Sequence, residues 1–369
     1  MRRIESLILI LALGFYVWFL HRFGFGQVFS YVRLVGWGLG LTIALESIAR
    51  FSNTLGWRTV IPKLPPNLGI TEMFMARIAG EATDYVTPSA QLGGQFVMAL
   101  LVRAKLPMAQ GLASVAIAAL AEGVGQIIFI TTAILVSIPF EAGLHHNLFW
   151  PIVGGMAIAI GLSIGFFFVQ MRDPFSWMWK AAARFDVPQL ANPEVKASAA
   201  EADRVLKDFY RNHRGLFARS SIFYVIAWSM GPVEIYLLMS MLHVHASWMA
   251  ALVTEAMGLL IERATFLIPA KLVSQEGGKA LVLSLLGYSA GIGFAIGFLR
   301  RVKELVWVLF GLAVLGWHRL IAERPSSIVL SSKIQPPPDH IPSRAHASTT
   351  DRKREKIIEV QPAQRGEFS

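Results

Sequence analysis

The sequence predicts an all-α, polytopic transmembrane helical bundle of about seven or eight spans, and three observations carry that reading. Of the 369 residues, 54% are hydrophobic and only 16% are charged, whereas a soluble domain carries about 25% charged residues. The apolar residues are gathered into runs of roughly twenty, the length that crosses a hydrocarbon core of ~30 Å. Two of the runs are interrupted by Pro/Gly loops, and acids lie beside both interruptions.

The chain opens with MRR and an apolar run over residues 7–20. No small-residue cleavage site follows, so the run reads as an uncleaved first span. The second span covers about 35–55. Short apolar helices at about 72–84 and 95–104 flank the loop YVTPSAQLGG, and each is too short for a full crossing. Further spans are expected at about 111–138, 148–169, 222–242 and 248–267. The loop IPAKLVSQEGG comes next. Apolar sequence over 280–317 is then interrupted only by Arg300, Arg301, Lys303 and Glu304. If that charge cluster marks a turn, the crossings number eight; if the region is one helix after a re-entrant loop, they number seven.

Charge placement orients the bundle. Residues 141–147 and 243–247 hold no Lys or Arg and are expected outside. Residues 172–219 hold nine (Arg172, Lys180, Arg184, Lys196, Arg204, Lys207, Arg211, Arg214 and Arg219) and are expected in the cytoplasm. Trp177 and Trp179 beside Lys180 read as an interfacial belt, and residues 201–210 as an amphipathic surface helix. From about Glu323 the chain turns polar, with Pro336–Pro338 and the run DRKREK. The expected layout is a membrane domain over 1–320, including a cytoplasmic loop at 171–219, and a disordered cytoplasmic tail over 321–369. The location expected is the inner membrane of a bacterium, multi-pass. The net charge of +10 is then chiefly a topology signal, so no nucleic-acid partner is expected.

Several chemistries are excluded or unsupported. The chain has no cysteine, which rules out disulfides, thiolate metal sites and cysteine nucleophiles. It shows no phosphate-binding loop, dinucleotide fingerprint or nucleophile elbow. His145, His146, His243 and His245 lie in short loops and do not compose a metal site, and Gly36, Gly38 and Gly40 read as helix-packing positions. No metal, cofactor or catalytic residue is expected.

The two Pro/Gly loops look like copies of one another. Glu81 precedes Pro88 by seven residues, and Glu262 precedes Pro269 by seven. Gly93 and Gly94 follow the first proline; Gly277 and Gly278 follow the second. A buried acid comes next in each, Glu122 at 34 residues past its proline and Glu304 at 35. Proline deletes a backbone donor and collides with the preceding turn. Broken backbone survives at membrane depth only when buried in protein or lining a cavity, and paired breaks in two halves point to a transporter's substrate site.

Thirteen ionisable residues fall in or beside apolar segments: Glu46, Arg50, Glu81, Asp84, Glu122, Glu234, Glu255, Glu262, Arg263, Glu276, Arg300, Arg301 and Glu304. A charge at the bilayer centre costs ~3 kcal/mol on insertion scales, so each needs a partner or water. Glu255 and Glu262 share a helix face, as do Glu81 and Asp84. Arg263, Arg300 and Arg301 are candidates to clamp a phosphate or carboxylate bidentately. Structural ion pairs and snorkelling to the interface are the competing roles, above all for Glu46 and Arg50 near a span end.

The stretch from Trp228, WSMGPVEIYLLMSMLHVHASWMAALVTEAMGLLIERATFLIPAKLVSQEGGKALVLSLLG, resembles the flippase-like family that includes the membrane domain of lysylphosphatidylglycerol synthase. Its acid-helix, Pro-loop and QEGG order is most similar to members associated with hopanoid biosynthesis, and TPSAQLGGQ resembles the family's first Pro/Gly loop. The resemblance spans about residues 5–318 and is specific mainly over 231–278. It implies a membrane protein that handles or moves a lipid, with Glu81, Pro88, Gly93, Gly94, Glu122, Glu234, Glu255, Glu262, Arg263, Pro269, Gln275, Glu276, Gly277, Gly278 and Arg301 in the family pattern. The family loop PGxLGxxEGG is altered here: Ala270 and Val273 replace two glycines and Lys271 adds a charge. About 47 polar residues follow the last apolar segment, too few for an aminoacyl-transferase domain. The expected function is lipid translocation without enzymatic activity, the lipid being a hopanoid or a relative. The alternatives are a scaffold for lipid-biosynthetic enzymes and, more remotely, an intramembrane transferase.

Overall fold

A computed structural model describes residue 30 and residues 33–87, 92–137, 145–184, 193–264 and 274–322. The expected span at 7–20, Pro88, the loop at 265–273 with Pro269, and the tail beyond 322 lie outside the described residues. The chain divides into two units, Met1–Ala322 and Glu323–Ser369; everything below concerns the first.

Its elements are all helices among the described residues. In order they are α1 (Gly38–Thr59), α2 (Ile70–Val86), α3 (Leu92–Val102), α4 (Met108–Ser137), α5 (His145–Met171), α6 (Pro174–Arg184), α7 (Pro193–Asn212), α8 (Arg214–Met241), α9 (Trp248–Ala264), α10 (Ser274–Leu285) and α11 (Ala290–Ala322). By length and composition, α4 and α8 are apolar enough to cross a membrane by themselves. The interiors of α1 and α11 carry charges that spoil their hydropathy and are neutralised within the fold.

The repeat inferred from the loops extends over four helices per half. A 17-residue helix (α2, α9) leads into a loop, a short helix of 11 or 12 residues (α3, α10), a tight turn and a long helix of 30 or 33 (α4, α11). The long helices start 182 residues apart, at Met108 and Ala290, which is also the interval from Glu122 to Glu304. Packing follows the same exchange: α2 lies against α11, and α9 against α4.

The preceding helices, α1 and α8, run antiparallel along each other. Gly38 meets Met241 at one end of the contact and Gly56 meets Tyr224 at the other. At the second end Ser52 Oγ donates to the Phe223 carbonyl at 2.7 Å, and Ser220 Oγ donates to the Gly56 carbonyl at 2.9 Å. Because α1 and α8 hold equivalent places yet point in opposite directions, the two halves are related by inversion. Trp57, fully buried, donates its indole N–H to Ser114 Oγ at 3.0 Å and locks α1 to α4.

The region expected as a cytoplasmic loop is largely helical. Pro174 opens α6, where its missing N–H costs nothing, and Asp203 of α7 accepts from the Phe175 and Ser176 amides at 3.0 and 2.9 Å. The expected surface helix at 201–210 is the second half of α7, whose Ala202, Leu206 and Phe209 are buried. Trp177 on α6 stays exposed.

Of the two layouts left open for the last region, a turn at the charge cluster is not what forms. Arg300, Arg301, Lys303 and Glu304 lie in the middle of α11 and mark no turn. The chain turns instead between α10 and α11, where Gly287 has φ +85°, a left-handed conformation that glycine adopts without steric penalty. The helix continues through its charges because other helices neutralise them.

Candidate functional site

The charges that the bilayer should reject form one ladder. Glu122 on α4 accepts from Arg77 of α2 at 3.0 Å. Arg77 also pairs with Glu81, one turn on, at 2.8 Å, and Glu81 meets Arg50 of α1. Arg50 pairs with Glu46 at 3.1 Å, and Glu46 with Lys303 of α11 at 2.8 Å. Lys303 reaches Glu234 of α8 at 2.6 Å. Arg300 then joins Glu234 at 2.8 Å to Glu255 of α9 at 2.5 Å. Acid and base alternate at every step through six helices, and the ladder crosses from one half of the repeat to the other at Lys303.

Its burial is uneven. The side chains of Lys303 and Glu234 are each 3% exposed, whereas Glu81 and Glu122 are each 30% exposed. The ladder is therefore sealed at its centre and open at its α4 end. Aromatic faces support two of its cations. Arg50 lies 5.0 Å from the Trp307 ring centroid and Arg77 lies 5.5 Å from that of Tyr224, both within cation–π range.

A second group sits where the broken helices approach one another. Arg301, wholly buried, pairs with Glu276 at the start of α10 and donates to the Tyr85 hydroxyl at the end of α2 at 3.3 Å. Gln275 donates to Glu304 at 2.7 Å. Lys279, 2% exposed, stands 3.8 Å from Glu262. Asp84 accepts from the Gly94 amide at 2.7 Å and so closes α2 onto α3.

The glycine pairs allow that closure. A Cβ on Gly94 would collide with the Gly80 carbonyl and the Asp84 carboxylate. In the second half, a Cβ on the equivalent Gly278 would lie 3.3 Å from Ile261 Cγ2, a tight contact but with a side chain rather than with backbone. Gly93 and Gly277 lie beside them in the first turns of α3 and α10.

The structure thus gathers Glu81, Glu122, Glu234, Glu255 and Arg300 into the ladder, and Glu276, Arg301, Gln275 and Glu304 into the second group. Pro88, Pro269 and the Arg263 side chain lie outside the described residues. The guanidinium groups expected to receive an anionic headgroup are already engaged: Arg300 holds two carboxylates and Arg301 one. Burial without those partners would be prohibitive.

Sequence reasoning passed over Arg77, Lys279, Lys303, Tyr85 and Tyr224. Arg77 carried a usable signal, since Glu81 stands four residues later on the same helix face. The cations also differ between the halves. Counting back from Glu262 as from Glu81, the position of Arg77 is taken by Gly258; counting on from the glycine pairs, Gln95 is matched by Lys279. The positive charge has moved from the longer helix of the hairpin to the shorter, and a Cβ on Gly258 would lie 3.9 Å from Lys279 Nζ.

An all-helical inverted repeat with charges paired in its interior defines an integral membrane protein. The chain belongs to the family described as Lysylphosphatidylglycerol synthase TM region, whose model matches residues 6–313. That membership ties it to lipid metabolism at a membrane. No curated protein and no solved structure gave a significant match.

Proposed function

We propose that this protein is a non-enzymatic lipid translocase of the bacterial inner membrane, acting on a hopanoid or related lipid. The observation that carries the proposal is the buried ion ladder, which joins two inverted halves through residues on or beside their broken helices. Such discontinuous helices in inverted repeats are where transporters place their sites.

The crossings number six under this reading: the segment at 7–20, α1, α4, α5, α8 and α11. The pairs α2–α3 and α9–α10 enter and leave on one side each. Charge distribution supports the arrangement. Arg58, Lys63, Arg103, Lys105 and the nine basic residues of 172–219 then share the cytoplasmic side with the N-terminus and tail. Arg22 and Arg33 are the basic residues of the opposite connections.

A lipid needs an apolar berth beside a polar one. A cleft of about 360 Å³ between α4, α8 and α9 is lined by Phe129, Ala133, Ser229, Pro232, Trp248 and Leu252. Pro232 and Leu252 stand two and three positions before Glu234 and Glu255. An acyl or isoprenoid tail fits the cleft while its headgroup meets the ladder at its open end, where the partly exposed Glu122 stands seven positions before Phe129 on α4.

The test is reconstitution of the purified protein into vesicles carrying a fluorescent lipid on one leaflet. Movement faster than in protein-free vesicles, and slowed by Arg300→Met, is expected. Equal rates with and without protein, for phospholipid and hopanoid probes alike, would sink the proposal.

A further inference from the structure

Glu122 and Glu304 hold equivalent places on α4 and α11, yet their surroundings differ in one decisive respect. Glu122 is met by the guanidinium of Arg77 at 3.0 Å. Glu304 is met by a neutral amide: its Oε1 accepts from Gln275 Nε2 at 2.7 Å. Its Oε2 is sealed from solvent without a hydrogen-bond partner, and so is Oε1 of Gln275, a residue only 3% exposed.

The cations around Glu304 make their close ion pairs with other acids, and Arg301 and Lys279 act on Glu304 only at longer range. On its own helix, Arg301 holds Glu276 and Tyr85, Arg300 holds Glu234 and Glu255, and Lys303 holds Glu46 and Glu234. From α10, Glu276 faces Arg301, and Lys279 stands beside Glu262. From α2 comes the Tyr85 hydroxyl, from α1 Glu46 and from α8 Glu234, each already paired with an α11 cation. Gly258, at the position equivalent to Arg77, sends no side chain.

Two buried acceptors on adjoining groups therefore lack a donor, and leaving such a group unsatisfied costs roughly 1–3 kcal/mol. A carboxylate and an amide oxygen cannot satisfy each other. One proton on the Glu304 carboxyl supplies the donor both lack: Oε1 keeps the bond from Gln275 Nε2, and the new O–H is available to Gln275 Oε1. No such donor can be supplied at Glu122, whose partner Arg77 is a permanent cation with no acceptor.

We propose that Glu304 and Gln275 form a proton-binding site, and that proton binding there drives the movement of lipid. The second clause rests on the translocase reading; the first does not. A proton resides on Glu304 while Gln275 of α10 is paired with it, and leaves when Gln275 withdraws. Inversion of the repeat places the locked acid, Glu122, in one half and the switchable acid in the other.

Infrared difference spectra of the reconstituted protein between acidic and alkaline pH test the site directly. A protonated-carboxyl stretch is expected in the wild type, absent in Glu304→Gln and shifted in frequency in Gln275→Met. The second variant keeps the acid and serves if Glu304→Gln fails to fold. A band that survives Glu304→Gln undiminished, or is indifferent to Gln275→Met, overturns the site. In vesicles with an imposed pH gradient, wild-type lipid movement should follow the gradient, and Glu304→Gln, a neutral mimic of the protonated acid, should lose that response. A retained response overturns the coupling. If no variant moves lipid while the Glu304 band is present, the proton site stands and the translocase reading falls.

Discussion

Arg301 of α11 donates to the hydroxyl of Tyr85 on α2, 3.3 Å away and 216 positions apart in sequence, and with its ion pair to Glu276 it ties the end of one broken helix to the start of the other. Tyr85 stands three residues before Pro88, while Glu276, the carboxylate partner of Arg301, stands seven after Pro269. A cation buried at this junction holds both hairpins at once.

Arg301→Ala should be among the most damaging substitutions in the chain. It strands Glu276, 3% exposed, without a counter-charge, and breaking a buried pair by removing one partner costs about 3–5 kcal/mol. The double variant Arg301→Met with Glu276→Leu should recover much of the loss. Thermal unfolding in detergent measures both, and a double variant no more stable than Arg301→Ala would contradict the pairing.

Lys303 is the rung that joins the two halves. Lys303→Met leaves Glu46 with Arg50 and Glu234 with Arg300, so the fold should survive with a loss smaller than that of Arg301→Ala. Coupling between the halves should weaken. A double-mutant cycle of Lys303→Met with Glu46→Gln is expected to give an interaction energy of about 1–3 kcal/mol; strict additivity would exclude a direct contact.

The glycine pairs predict an asymmetry. A Cβ on Gly94 would collide with backbone and carboxylate atoms well inside contact distance, while one on Gly278 would lie 3.3 Å from the Ile261 side chain. Gly94→Ala should destabilise by about 1–3 kcal/mol through overpacking, and Gly278→Ala by clearly less. Equal unfolding shifts for the two would count against the close crossing of α2 and α3.

Membrane topology is accessible because the chain has no cysteine to remove. Single cysteines at Lys105 and Lys207 should react with membrane-impermeant reagents only from the cytoplasmic side, and those at His245 and Tyr288 only from the opposite side. Labelling of Lys105 and Tyr288 from the same side would replace six crossings by another number.

The membrane class, the hairpins and their equivalence were legible because Pro, Gly and hydropathy act locally. Glu81, Gly94 and Glu262 announce themselves in any reading that compares the two loops. The ladder was not legible, since its links join residues such as Glu46 and Lys303, 257 positions apart. Apolar sequence between two helices also hid the turn at Gly287, where glycine was the available cue. Arg300 and Arg301 looked like open anion sites because their carboxylate partners on α8, α9 and α10 become visible only once the helices pack.

The distribution of the ladder's partners also sets an order of assembly. Glu46 with Arg50, and Arg77 with Glu81, are neighbours one turn apart on single helices, so the first half can enter the bilayer with most of its charge already matched. Glu234 and Glu255 find their cations on α11, the last of the described helices to leave the ribosome. Until it arrives, α8 and α9 must keep those acids protonated or near water, and insertion of α11 is the step that commits the chain to its final form.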